Sequence, residues 1–269
     1  MSQTRFSTSK LYDAVRSAAG RALTPDQIGI LRGYGVERTF QPGAFLFRAG
    51  QDEGQFYVIL EGEISILGET LDGEEFVSGR ATENAFLGEL GLLTGQRAFL
   101  SARAEKPTEV IEIAVERLRE IIASIPELGD VIVSGFAARR EALMQTADAS
   151  LVALGPEANG QVTRAREFVS RNRIPHSFMD TTGAQGADVA ARLDLDPTTL
   201  NIVLRGNEVV RRPDNPGIAY ALGMALDVAD GVEVDLTVIG AHPGGLAAAV
   251  YGASEGLNTV VVEDTAIGG

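Results

Sequence analysis

Cysteine is absent from this 269-residue sequence. That absence excludes disulfides, thiolate metal sites and dithiol redox chemistry carried by the chain's own side chains. Histidine is nearly absent too. His176 and His242 are the two present, too few for a histidine-built metal cluster. Neither a metal site nor a catalytic residue is expected. Long apolar runs are also missing, and nothing approaches the ~20 residues that a membrane-spanning helix needs. The first ten residues are polar and lack the apolar core of a secretory signal. No membrane partner and a cytoplasmic location are therefore expected. Positive charge is scarce, with 23 Lys and Arg against 37 Asp and Glu, a net charge of −14. Such a field repels polyanions, and affinity for a phosphate backbone rests on basic side chains. The densest basic spots are Arg205, Arg211 and Arg212, and the stretch from Arg164 to Arg173. Both sit among acidic residues and read as solvated mixed-charge surface, so no nucleic-acid partner is expected.

What is present suggests two domains, or three small ones, at roughly 100–200 residues per domain. The spacing of apolar residues changes along the chain and separates three segments, 1–148, 149–230 and 231–269. In the first, Thr24-Pro25-Asp26-Gln27 has the form of a capping box with proline at the first helical position. Short period-two runs follow. Phe56, Val58 and Leu60 are assigned to one face, continued by Ile64 and Ile66. Glycines at 43, 50, 54, 62, 68, 73 and 79 separate the runs, and Gly62 is placed in a tight hairpin requiring positive φ. This pattern predicts a rolled antiparallel β structure. Leu118, Ile121 and Ile122 then fit a helix ended or kinked by Pro126, and Leu128, Val131, Ile132 and Phe136 form the apolar stripe of a second.

The second segment reads strand 151–154, helix 161–172, strand 176–180, helix 187–193, strand 201–204, strand 208–211 and helix 216–226. That order suits a small α/β sandwich. In the third, 236–239 reads as a buried parallel strand, 240–245 as a glycine-rich turn, 246–255 as a helix and 258–262 as a second strand. Strand, glycine turn, helix and a strand ending in an acid make a dinucleotide-binding pattern. Gly240 fills the tight-turn position and Gly245 the close-packing position. Amides at Gly244 and Gly245 would face a pyrophosphate, and Glu263 stands where an acid holds ribose hydroxyls. His242 replaces the middle glycine, which normally lets the backbone approach the pyrophosphate.

Three resemblances attach to these segments. Pro42-Gly43, Gly50, Phe56-Tyr57-Val58-Ile59 and Gly62-Glu63-Ile64 resemble the β-roll of cyclic-nucleotide-binding domains. Gly88-Glu89-Leu90-Gly91-Leu92-Leu93-Thr94-Gly95 resembles the start of that family's phosphate-binding cassette. The resemblance implies a cyclic-nucleotide ligand, with Gly88, Glu89, Leu90, Arg97 and Ser101 as site residues and Glu89 on the ribose hydroxyl. It also implies a homodimer through the helix at 127–144. The family's Arg and Ser or Thr that grip the phosphate are replaced by Ala98 and Phe99, with Arg97 one residue early.

Residues 168–176 and the order βαβαββα resemble thioredoxin-like and glutaredoxin-like domains, with Gly155-Pro156-Glu157-Ala158 where that family carries its Cys pair and Asn201 where it carries a proline. This implies a redox-inert adaptor in which His176 is structural. Residues 239–251 resemble the opening of the FAD domain of thioredoxin-reductase-like flavoproteins, with Gly240, Gly244, Gly245 and Glu263 as cofactor-binding positions and FAD as the implied cofactor.

The fold class expected is therefore mixed and multidomain. It comprises an N-terminal antiparallel β-roll with helices, a thioredoxin-like α/β middle domain lacking Cys, and a truncated Rossmann-like βαβ unit. The function expected is the regulatory N-terminal portion of a thioredoxin-reductase-like flavoprotein, inactive alone because the chain ends inside the βαβ unit. The alternative is a stand-alone cyclic-nucleotide sensor or interaction protein.

Overall fold

The structure, a computed structural model, describes residues 22–51, 54–71, 73–88, 90–144, 151–204, 208–224 and 231–268. The chain divides into two compact units, Met1–Ser150 with Val203–Glu208, and Leu151–Ile202 with Val209–Gly269. Among the described residues, no helix is long and apolar enough to cross a membrane.

The first unit opens with helix α1 (Pro25–Arg32). Its capping box forms as the sequence predicts. The Gln27 amide donates to Thr24 Oγ1 at 3.3 Å and the Thr24 amide to Gln27 Oε1 at 2.9 Å, satisfying two amides that a helix start leaves orphaned. Eight strands follow: β1 (Val36–Phe40), β2 (Phe45–Phe47), β3 (Gln55–Glu61), β4 (Glu63–Glu69), β5 (Glu75–Thr82), β6 (Phe86–Leu87), β7 (Ser101–Ala104) and β8 (Thr108–Ala114). Helix α2 (Leu90–Thr94) interrupts them, and α3 (Val115–Ser124) and α4 (Pro126–Met144) close the unit. The strands form two four-stranded sheets, in the orders β1-β8-β3-β6 and β2-β7-β4-β5. Their pairings are antiparallel.

Two cores result, and β3 serves both because alternate side chains of a strand point to opposite faces. Tyr57 and Ile59 join Ile64, Leu87, Ala102 and Val110 inside the roll. Phe56 and Val58 join Phe86, Ile111 and Ile113 beneath the helices, against Leu31, Leu92, Leu118, Ile121, Ile132 and Phe136. This corrects the single face assigned from sequence, because Ile64 belongs with Tyr57 and Ile59. Gly62 has the expected positive φ of 108°. It is not a hairpin tip, however, since β3 and β4 lie in different sheets. Gly62 turns the corner between them over Thr108, which a side chain there would strike.

Helix α4 is held to the roll by aromatic contacts. Phe136 lies with its ring centroid 6.0 Å from both Phe56 and Phe86. Gly135 admits the Phe86 ring, because a Cβ there would fall 2.6 Å from Cζ. Fully burying aromatics of this size contributes on the order of 1.5–3 kcal/mol each.

After residue 150, β9 (Leu151–Gly155), β10 (His176–Asp180), β11 (Asn201–Leu204) and β12 (Val209–Arg211) form a sheet in the order β10-β9-β11-β12. Helices α5 (Gly160–Arg171), α6 (Ala184–Arg192) and α7 (Asn215–Ala221) alternate with them. β9 and β10 run parallel, with Leu151 opposite His176. The element order read from the sequence holds, although α6 starts earlier and α7 ends earlier than expected.

Strands β13 (Leu236–Ile239) and β14 (Thr259–Val262) pair in parallel, with α8 (Pro243–Ser254) between them. The expectation that 236–239 is a buried strand fails. Ile239 is 84% and Val262 51% exposed. A two-stranded sheet with one helix has too little surface to cover both faces. The Asn172 side chain donates to the Thr265 carbonyl at 2.7 Å and ties this βαβ element to the rest of its unit.

Candidate functional site

The cassette begins where β6 ends. Gly88 has a φ of 138°, a conformation that favours glycine, and its Cβ position abuts the Phe136 ring at 3.0 Å. Glu89 lies outside the described residues. Leu90 opens α2, a single helical turn closed by the Gln96 amide donating to the Gly91 carbonyl at 2.9 Å.

Beyond α2 the chain runs to β7 through Ala98 and Phe99, both buried. Ala98 is fully engaged with the segment before β3. Its amide donates to the Gln51 carbonyl at 3.0 Å, and its carbonyl accepts from the Gly50 amide at 2.9 Å. Arg97 reaches Glu208 of the same unit at 3.3 Å. Ser101 accepts a hydrogen bond from the Ala49 amide at 3.0 Å through its hydroxyl. The structure therefore brings Gly88 and Leu90 together at the start of α2, while the Arg97 and Ser101 side chains have structural partners.

Two arginines of α4 that the sequence reading passed over complete this region. Arg139 spans the cassette entrance. Its Nη1 donates to the Gly88 carbonyl at 2.7 Å and its Nη2 to the Phe86 carbonyl at 2.8 Å. Its guanidinium also lies 4.4 Å from the Phe86 ring centroid. Arg140 is 5% exposed. It donates to Gln96 Oε1 at 3.2 Å and lies 5.0 Å from the centre of the Phe99 ring. The sequence carries a signal for this. Ile132, Phe136, Arg140 and Leu143 follow helical spacing, so Arg140 occupies an apolar-stripe position where a charge calls for explanation.

The C-terminal glycine turn is built otherwise. Gly240 has a φ of 92°, and its amide donates to the Val262 carbonyl at 2.8 Å. Gly245 packs against the Gly240 carbonyl, where a Cβ has no room. The cofactor-binding residues expected from sequence do converge, but on each other. His242 caps α8, its Nδ1 accepting from the Gly245 amide at 3.2 Å. Glu263 accepts from the amides of Ala241 at 2.6 Å, Thr265 at 2.8 Å and Asp264 at 3.1 Å. These amides, Ala241's foremost, hold the Glu263 carboxyl below the usual carboxylate range. The Cβ positions of Gly240 and Gly244 lie 3.2 and 3.3 Å from the His242 ring. The Gly245 amide that would meet a pyrophosphate is given to His242, and the Glu263 carboxylate that would meet a ribose already accepts three amides. This local engagement weighs against FAD binding.

In the second unit, His176 makes local contacts at the start of β10. Its Nδ1 lies 2.8 Å from the Ile174 carbonyl and its Nε2 3.4 Å from Ser170 Oγ. Asn201 is buried, and its amide donates to the carbonyls of Asp196 at 3.0 Å and Thr199 at 3.1 Å.

The comparisons with known proteins bear on the first unit. Residues 37–124 match the sequence model of the family described as "Cyclic nucleotide-binding domain". The global nitrogen regulator of Synechococcus elongatus is 29% identical over 102 residues, covering 37% of this chain and 46% of that protein. The cAMP-activated global transcriptional regulator CRP of Salmonella typhimurium is 30% identical over 84 residues, 31% of this chain and 40% of that protein. The chain thus spans about half the length of the curated relatives it matches. Among solved structures, the catabolite activator protein of Thermus thermophilus aligns at a TM-score of 0.41 and 22% identity, covering 46% of this chain and 58% of that one.

These matches give FAD and a fused reductase no support. They also overturn the expectation that nucleic acid is excluded as a partner, because one of these relatives, CRP, is named as a transcriptional regulator. The physical error was to read a whole-chain charge of −14 as though it described every face. Residues 37–124 are a cyclic nucleotide-binding domain of the kind found in such regulators.

Proposed function

We propose that this chain is a ligand-responsive regulator whose β-roll binds a cyclic nucleotide and passes the binding event to α4. The observation that carries this reading is the cassette turn from Gly88 into α2, which Arg139 of α4 grips by two carbonyls inside the matched region. The ligand site is Gly88, Glu89 and Leu90, while the side chains of Arg97 and Ser101 are engaged by Glu208 and by the Ala49 amide. The α4 helix serves as the face for a homodimer. Kinship with transcriptional regulators makes a nucleic-acid partner part of the proposal.

A thermal-shift titration with cyclic AMP and cyclic GMP tests the reading. Binding to the native state alone adds RT ln(1 + [L]/Kd), about 2.7 kcal/mol at a hundredfold excess over Kd. An upward shift that Glu89→Ala abolishes is the expected result. No shift at millimolar nucleotide would sink it.

A second reading retains the regulatory portion of a thioredoxin-reductase-like flavoprotein. It is supported by the sheet order β10-β9-β11-β12 with alternating helices, and by the βαβ element with its glycine turn. In it, residues 149–230 and 231–269 are separate domains, the first a redox-inert thioredoxin-like adaptor. The self-engaged turn at His242 and Glu263 weighs against flavin binding by this chain.

A further inference from the structure

The cassette's end carries an apolar pair where a ligand's negative charge must be met. Ala98 and Phe99 are 4% and 6% exposed. Ala98 has spent its amide on the Gln51 carbonyl and its carbonyl on the Gly50 amide. Arg97 extends to Glu208 and has a side chain 31% exposed. A phosphodiester anion brought into so apolar a corner loses its hydration and requires a cation or several donors in return. The cation that reaches this corner comes from α4. Arg140 stands over the Phe99 ring and touches Gln96, so it adjoins both ends of the Gln96–Phe99 stretch.

A guanidinium presents five N–H donors in a rigid fork and keeps its charge when buried. That geometry suits bidentate contact with a phosphate or carboxylate. Burying a long charged side chain on an otherwise apolar stripe is costly. At the same place it gives a ligand's acid group a partner in a site of low dielectric.

Resting on the ligand-binding reading of the β-roll, we propose that Arg140 of α4 binds the ligand's anionic group, the phosphodiester of a cyclic nucleotide, in place of an arginine from the cassette. The consequence is direct coupling. The charge that recognises the ligand sits on the helix that responds to it, so occupancy draws α4 toward α2 without an intermediate strand. Arg139, one residue earlier, anchors the same helix to the cassette backbone through the Gly88 and Phe86 carbonyls. Arg97 then serves the fold through Glu208 rather than the ligand.

Calorimetric titration of the full chain with cyclic AMP, cyclic GMP and uncharged adenosine tests this. Arg140→Met keeps the stem that packs on Phe99 and removes the charge. It is expected to weaken binding of the favoured cyclic nucleotide by roughly 10- to 100-fold, the range of one charge-assisted contact. Adenosine binding should be left within about twofold, and Arg97→Met should change cyclic-nucleotide affinity less than about threefold. Unchanged affinity in Arg140→Met, with the loss appearing in Arg97→Met, would overturn the inference and leave the sensor reading standing. No binding of either nucleotide to the unmutated chain would overturn both.

Because Arg140→Met could fail to fold, the unmutated protein supplies a second measurement. The Arg140 side-chain Nε resonance should move on adding cyclic AMP and stay still on adding adenosine. A static Arg140 signal beside a moving Arg97 signal would likewise overturn the assignment.

Discussion

Two glycine-rich turns lead into helices in this chain, one before α2 in the β-roll and one before α8 near the C-terminus. The first is held from outside. Arg139, about fifty residues away in sequence, clamps the Phe86 and Gly88 carbonyls, and the Phe136 ring packs over Gly88. The second is held from within. His242 caps its own helix, and Glu263 collects the amides of Ala241, Asp264 and Thr265. A turn braced by a distant helix couples its geometry to that helix and can report on it. A turn that satisfies its own amides is stable locally and has little left to offer a ligand. Similar glycine patterns thus lead to opposite chemistry, decided by where the bracing groups originate.

The comparison can be broken at several points. The largest effect is expected at Gly245. Gly245→Ala sets a Cβ against the Gly240 carbonyl, a backbone atom with little room to yield. It should cost about 3 kcal/mol, at the upper end for overpacking. Amide hydrogen exchange would show it as lost protection at Val260, Val261 and Val262, with β3 and β8 unaffected. Protection retained in β14 would mean the turn is not the close-packed joint described.

Arg139→Ala comes next. Loss of two charged hydrogen bonds and the Phe86 contact should cost about 2 kcal/mol. The thermal midpoint of the β-roll should fall, and the amides of α2 should exchange faster. An unchanged midpoint would remove the external clamp from one side of the comparison.

Glu263 gives a smaller effect with a definite pH sign. Its carboxyl is held below the usual range in the folded chain, first by the Ala241 amide and then by Thr265. The stabilisation is therefore complete above the ordinary carboxylate range and fades as pH falls through the lowered folded value. Exchange protection of the Ala241 amide should weaken on acidification. Glu263→Gln should lower it at pH 7 by about 1 kcal/mol and flatten the profile. A pH-independent Ala241 amide in the unmutated protein would contradict the self-engaged turn.

His242→Ala is the mildest change. Removing a side-chain cap typically costs about 0.5–1 kcal/mol, and faster exchange at Gly245 and Leu246 would register it.

Much of the site's surroundings was legible in the residues. Thr24 to Gln27, Pro126 and the alternating runs each declare a cap, a break or a strand by local chemistry. Gly88 to Gly95 marked the cassette through its resemblance to that of cyclic-nucleotide-binding domains, a resemblance carried by contiguous residues. What escaped was everything contributed across long sequence separation. The Arg139 and Arg140 roles arise because α4 folds back over β6 and α2. Ala98 is spent because β7's approach runs beside Gly50 and Gln51. Ile64 was assigned to the wrong face because the corner at Gly62 changes sheet, and period-two spacing carries no information about which sheet comes next.

By itself the sequence determined the element types and order from β9 onward, and in the roll its first helix, its antiparallel character and its two closing helices. It also determined the absence of thiol chemistry and the positions where only glycine suits the backbone. These depend on dihedral preference, side-chain spacing and composition, which act within a few residues. Tertiary structure alone decided that Arg139 and Arg140 of α4 reach Phe86, Gly88, Gln96 and Phe99 and that both faces of β3 are buried. It also decided that the C-terminal turn consumes its own amides. Those outcomes depend on which distant donors and acceptors meet, because a buried polar group must find a partner wherever the fold supplies one.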